Sequence, residues 1–153
     1  MVFGAFLIFA VAESTPKGIA ANSCAEKEYL KTAYERAIKR ITDNKGNFPK
    51  LLPWGWLENR HIIRAIGKWG RVLWEEGNSK GALEIFEGLL LINPNDNTGT
   101  RFDILAIKMG LDSDFLENHF SIKGQEGYLD AVKVDKWFDK NCPRFKKEFE
   151  PWF

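Results

Sequence analysis

At 153 residues the chain has room for one domain with a substantial core and too little for two. Its 22 basic and 21 acidic side chains leave a formal charge of +1, which excludes the broad positive field that draws proteins to nucleic acid or anionic lipid. The two cysteines, Cys24 and Cys142, stand far apart with no CxxC pair and no histidine cluster, which excludes a zinc site or a disulfide framework. They read as free thiols, with one long-range disulfide as the alternative.

The opening run MVFGAFLIFAVAES reads as a buried helix over about residues 2 to 12, stopped at Glu13-Ser14-Thr15-Pro16. A secretory segment ending in Ala10-Val11-Ala12 is the alternative, and would make the protein exported. No Lys or Arg precedes the run, and about a dozen apolar residues fall short of the roughly 20 that cross a bilayer. A soluble, cytoplasmic protein with no membrane partner is the expectation.

Ser23-Cys24-Ala25-Glu26 is a capping box, in which serine and glutamate each satisfy a free backbone N–H. It opens a helix over 24 to 42, whose Tyr29 or Leu30, Ala33, Tyr34, Ala37, Ile38 and Ile41 recur at three and four and face inward. Asp43 to Pro53, with Asn44-Lys45-Gly46-Asn47 and two prolines, is a loop. Trp54 and Trp56 flank Gly55, and the plainer role for both is to staple this loop onto the core. Asn59 is a good N-cap for a helix to about Glu76, with Ile62, Ile63, Ile66, Trp69, Gly70 and Leu73 on its buried side.

Gly77-Asn78 ends that helix and Ser79 begins the next, which carries Ala82, Leu83, Phe86, Leu89 and Leu90 and breaks at Asn93-Pro94. Asp96 or Asn97 caps a helix through Met109, and Gly110 supplies its left-handed terminus. Asp112 or Ser113 caps a short helix ending near Phe120. Residues 122 to 128 form a glycine-containing linker. Beyond it come Val134 to Phe138, then Pro143 and an aromatic-basic helix to Trp152, read as a terminal cap. Strand signals, period-two alternation with β-branched enrichment, are almost absent, so the fold class is all-α.

Residues 63 to 96 carry a helix-turn-helix repeat pattern: Ile66, Trp69-Gly70, Leu73, Ala82, Phe86 and Pro94, in the order and spacing of a 34-residue unit. Small residues at 70 and 82 let two helices approach to roughly 8 to 10 Å, and Pro94 bars the second from continuing. On these residues the chain resembles the tetratricopeptide repeat family. The stretch WGWLENRHIIRA, followed by INPNDNTGTR, is similar to bacterial tetratricopeptide proteins of undefined role with a tryptophan-rich loop before the repeat, over roughly residues 54 to 108.

The resemblance implies antiparallel helical hairpins stacked as a short right-handed superhelix, one domain over 1–153 with a cap at about 128–153. It also implies a scaffold or adaptor role, no catalytic residue and no cofactor. The zinc-binding cysteine-rich tail of some relatives is missing, which removes a metal by analogy. A single hairpin cannot bury its apolar face alone, so about three are needed, and the chain has room for three plus a cap.

In such stacks the first helix of each hairpin lines the concave surface. The residues turned outward are expected to include Arg64, Gly67, Arg71 and Trp74, joined by Arg101 and Lys108 from the next hairpin. They would form a cationic groove with an aromatic floor for another protein's short acidic segment, since guanidinium grips carboxylate bidentately. The plain alternative pairs these cations with Glu75, Glu76 and Asp103 at the surface. Relatives that clamp peptide carboxylates use a lysine–asparagine set, where this chain has Gly67 and Arg71.

Two rival readings come from other classes. One is an enzyme or small-ligand protein with a pocket between the Trp54-Gly55-Trp56 loop and His61, using a carboxylate such as Glu58. The other is self-assembly into a homo-oligomer through the end segments 2 to 12 and 144 to 153. The sequence around His61 and His119 carries no carboxylate-and-cysteine pattern that argues for catalysis by either, and Arg144, Lys146 and Lys147 among aromatics read as an amphipathic cap diluted by Glu148 and Glu150.

Overall fold

The computed structural model describes residues 20–150, so the helix expected over 2 to 12 and the position of Trp152 lie outside the described residues. The elements run α1 (Ala20–Ile41), α2 (Leu57–Glu75), α3 (Ser79–Ile92), α4 (Thr100–Lys108), α5 (Phe115–Phe120), β1 (Ser121–Ile122), β2 (Gln125–Leu129) and α6 (Ala131–Asn141), closed by a 3₁₀ turn over Cys142–Phe145. The described chain is therefore mostly helical, as the periodicity predicts.

The α2–α3 pair is the centre. Only Glu76 to Asn78 connect the two helices, so they must return antiparallel. Gly77 takes the left-handed backbone at φ 83, and the Asn78 side chain accepts from Gly81 N at 3.0 Å, which caps α3. Gly70 sits in the seam. Its open side is met by the Phe86 ring rather than by Ala82: a Cβ added at Gly70 would lie 2.6 Å from Phe86 Cε1. Ala82 is itself fully buried beside Trp74 and Phe86.

Two apolar clusters occupy the two ends of this hairpin. At the first, Ile62, Ile63 and Ile66 of α2 meet Leu89 and Ile92 of α3 and Ala37 of α1. At the second, Trp74, Ala82, Phe86 and Leu90 meet Ile104 and Leu105 of α4, then Phe138, Cys142 and Phe149. α1 lies antiparallel along α2, since Lys27 pairs with Glu76 at one end and Tyr34 stacks on Trp69 at 6.0 Å nearer the other. Of the two alternatives on α1, Leu30 is the half-buried one and Tyr29 is exposed.

Four expectations are corrected. α2 begins at Leu57, with Trp56 at the cap position; Asn59 lies inside the helix and its amide donates back to the Pro53 carbonyl at 2.9 Å. α4 begins at Thr100, not at 96 or 97, because Asp96 reaches forward over a left-handed Gly99 to hold the first amides. The stretch 122 to 128 is a hairpin: β1 pairs antiparallel with β2 across Lys123-Gly124, with Gly124 at φ 79 and a register shift in which Gly127 (φ 77) also turns left-handed. Finally, the aromatic-basic tail is a 3₁₀ turn and irregular turns rather than an α-helix; Pro143 sits in its first turn and Phe149 is pinned fully buried against Phe138 at 5.1 Å.

Candidate functional site

The residues proposed as a cationic face are dispersed by the fold. Trp74 is 5% exposed and belongs to the core, which corrects its placement as an outward contact. Gly67 also turns inward, with Leu89 Cδ2 3.7 Å from where its Cβ would stand. Arg64 is exposed, but its guanidinium lies over the Trp54 ring at 5.3 Å, alongside Arg60 at 5.5 Å. Arg60 also donates through Nε to the Trp54 carbonyl at 2.9 Å. The tryptophan loop is thus stapled through Trp54, whereas Trp56 is exposed, contrary to the packing expected for both.

The other three cations grip carboxylates of the chain itself. Arg71 Nη2 donates to both oxygens of Asp103 at 3.1 Å, joining α2 to α4. Arg101 donates to Asp96 Oδ2 at 3.1 Å and to Asp135 Oδ1 at 3.0 Å, joining α4 to α6. Lys108 pairs with Glu87 at 3.2 Å and approaches Glu148 at 3.9 Å. Each of these three cations therefore already meets a carboxylate of the chain.

Asp103 is buried, and burial pushes its carboxyl up to about 6, against the lowering by Arg71's charge and hydrogen bonds; the nearby Asp96 charge raises it further. A raised folded value means that the charged form opposes folding above pH about 6, and that this opposition fades as the pH falls towards 4. Comparing Asp103→Asn with the parent by urea unfolding at pH 7.5 and 4.5 is expected to show the variant gaining relative stability at the higher pH, by roughly 2 to 3 kcal/mol across the window. A difference that stays the same at both pH values would contradict this assignment.

Among the described residues, a concave feature lies beside the N-terminal half of α2. A groove of about 590 Å³ opens between α1 and α3. Ile66 of α2 is its floor, Tyr34 and Ile38 form one wall, and Ile85, Gly88 and Leu89 form the other. Phe48, Pro49 and Lys50 close one end beside Leu91 and Ile92, held there by Leu52 N donating to the Ile92 carbonyl. The loop that carries Phe48 is shaped by Asp43, which accepts from Lys45 N at 2.8 Å and Asn47 N at 2.9 Å; with the Asn47 side-chain contact foremost, these hold its carboxyl below the usual range.

Phe48 and Leu91 are 54% and 77% exposed at the rim, with Lys50 and Glu84 as its charges. Large apolar side chains left exposed around a concavity make it the candidate binding surface among the described residues. Sequence reasoning missed it, although a signal existed. Leu89-Leu90-Leu91-Ile92 is four consecutive aliphatics, and a helix turning 100° per residue cannot bury all four on one face. Neither His61 nor Glu58, the residues of the rival pocket, lines this groove.

Elsewhere, Phe115, His119, Phe120 and Trp137 form an aromatic group, with His119 Nδ1 donating to the Phe115 carbonyl at 2.8 Å. Cys24 and Cys142 are free thiols, one exposed and one buried. Among the described residues no helix is long and apolar enough to cross a membrane. In comparisons with protein-family models, curated proteins and solved structures, nothing matches this chain.

Proposed function

We propose that the protein is an interaction module of stacked helical hairpins, tetratricopeptide-like in plan, that holds an apolar helical segment of another protein in the groove between α1 and α3. The observation that carries this is the groove itself: aliphatic floor and walls, exposed Phe48 and Leu91 at its rim, and only Lys50 and Glu84 as nearby charge. An amphipathic helix laid in such a groove buries an i, i+3, i+4, i+7 stripe, and the polar rim sets its direction. The tetratricopeptide-like plan is supported by the two antiparallel seams at α2 and by the Asp96 turn that starts α4 after seven connecting residues from the end of α3. An acidic segment on the α2 and α4 cations is the less favoured occupant, because Arg71, Arg101 and Lys108 already meet carboxylates.

The reading assigns binding and no reaction, and takes the module to be cytoplasmic, where an exposed thiol such as Cys24 stays reduced. Gly88 offers the test. A Cβ there meets nothing within 4 Å, so Gly88→Arg puts a charge into the groove without a clash and favours the helix by about 1 kcal/mol. Peptides selected from a displayed helical library are expected to lose at least tenfold in affinity for Gly88→Arg, about 1.4 kcal/mol, and nothing for Arg64→Ala. Peptides that ignore Gly88→Arg and fail on Arg64→Ala would move the site to the cationic face.

A further inference from the structure

The end of the molecule where α1 gives way to α2 carries a charge that the near-neutral total hides. Residues 39–64 run from the last turn of α1 through the loop into the first two turns of α2, and set Lys39, Arg40, Lys45, Lys50, Arg60 and Arg64 against Asp43 and Glu58. That is a local charge of +4, so with the whole chain at +1 the remaining residues carry −3. Because α1 and α2 run antiparallel, these groups gather at one end, and Leu52 N donating to the Ile92 carbonyl brings the end of α3 there too. Among the described residues none of the six cations forms an ion pair, unlike Arg71, Arg101 and Lys108, which each meet a carboxylate.

The same end holds large apolar side chains in water. Phe48, Leu51, Trp56 and Leu57 are exposed, Trp56 at 68% and Leu57 at 64%. Their loop is fixed from within: Leu52 and Trp54 pack into the core between them, and the Asn59 and Arg60 side chains donate to the Pro53 and Trp54 carbonyls. Apolar groups held outward in advance spend little ordering entropy on docking. The groove between α1 and α3 accounts for Phe48 alone, since Leu51, Trp56 and Leu57 do not line it.

We propose that this end docks on the surface of an anionic phospholipid bilayer, with Trp56 and Leu57 entering the headgroup region and the surrounding cations facing the lipid phosphates and carboxylates. Charge complementarity selects this occupant. Each Lys or Arg brought to such a surface strengthens attachment about fivefold, and the net negative remainder of the chain is repelled from it, which orients the molecule. Tryptophan suits the depth because its ring is apolar while its N–H finds a partner among headgroups. A nucleic-acid strand fits less well, because the aliphatic Leu51 and Leu57 offer no ring on which a base can stack. The inference is independent of what occupies the groove.

The test uses the full chain and sedimentation with vesicles of phosphatidylcholine, alone or with about one third phosphatidylserine. The parent is expected to bind the mixed vesicles at least tenfold more tightly than the neutral ones, and to lose most of that advantage at about 0.5 M salt. Trp56→Ala with Leu57→Ala, and Lys39→Ala with Lys45→Ala, are each expected to weaken attachment at least tenfold; all four residues are exposed, so the core stays intact. No binding of the parent to mixed vesicles, equal binding to both kinds, or binding that ignores either pair of substitutions would overturn the proposal. Tighter binding to single-stranded polyuridylate than to vesicles would overturn it as well, by giving the surface to nucleic acid.

Discussion

Replacing Asp96 with alanine is expected to cost about 3 to 5 kcal/mol of unfolding free energy, the range for breaking a buried ion pair from one side. Its carboxylate accepts from Thr100 N at 2.7 Å, from Arg101 N at 3.1 Å and from the Arg101 guanidinium at 3.1 Å, while the residue is almost wholly buried. Alanine leaves two helix-opening amides and a guanidinium without that acceptor. It also has to hold the left-handed backbone at φ 46, the one non-glycine positive φ among the described residues, which aspartate tolerates better than alanine and which adds roughly 1 kcal/mol. Asp96→Asn keeps one acceptor oxygen and the backbone tolerance, so it is expected to lose less than half as much. Thermal unfolding of the alanine variant is expected to drop on the order of 10 °C. A drop within error of zero would mean that the turn is not what locks α4 onto α3.

Phe86→Ala is expected to cost about 3 to 5 kcal/mol, since the ring is 1% exposed and the hairpin seam cannot close the cavity fully. The more discriminating result concerns its neighbour. Gly70→Ala in the parent pushes a methyl to 2.6 Å from the Phe86 ring, an overpacking of about 1 to 3 kcal/mol that outweighs alanine's helix preference of about 1 kcal/mol. In the Phe86→Ala background the same methyl enters vacated space, and the change is expected to turn neutral or stabilising. Urea titration of the four proteins measures the coupling directly. Strict additivity would show that residues 70 and 86 do not share the contact.

Much of this architecture is written in local signals. Gly77-Asn78-Ser79 and Asn93-Pro94 mark both ends of α3 because their effects are local: a left-handed glycine, a side-chain cap, a ring that bars the next turn. The terminus at Gly110 (φ 74) was legible for the same reason. The hairpin at 121–129 was not, because Ile122 is the lone β-branched side chain in it and glycines interrupt the alternation that betrays a strand. The site was less legible still. Three, four and three spacing placed Arg64, Gly67, Arg71 and Trp74 on one stripe of α2, but the packed helices bury Trp74 and set Gly67, half-buried, against Leu89, leaving the two arginines exposed.

From sequence alone follow the helical class, the two-helix unit over residues 63 to 96 and the choice of Asp96 or Asn97 to serve the next helix; that Gly70 meets the Phe86 ring, where Ala82 was expected, came from the structure. The first three depend on interactions spanning a few residues or on a periodicity that a single helix imposes. The sequence offered Asp103 among the partners for these cations; only the tertiary structure decided which cation takes it, and where apolar surface is left over. Arg71 meets Asp103 thirty-two residues away and Arg101 meets Asp135 thirty-four away, pairings set by how helices cross. The groove likewise exists because α1 and α3 diverge over Ile66, a property of the space between elements that no single element's pattern contains.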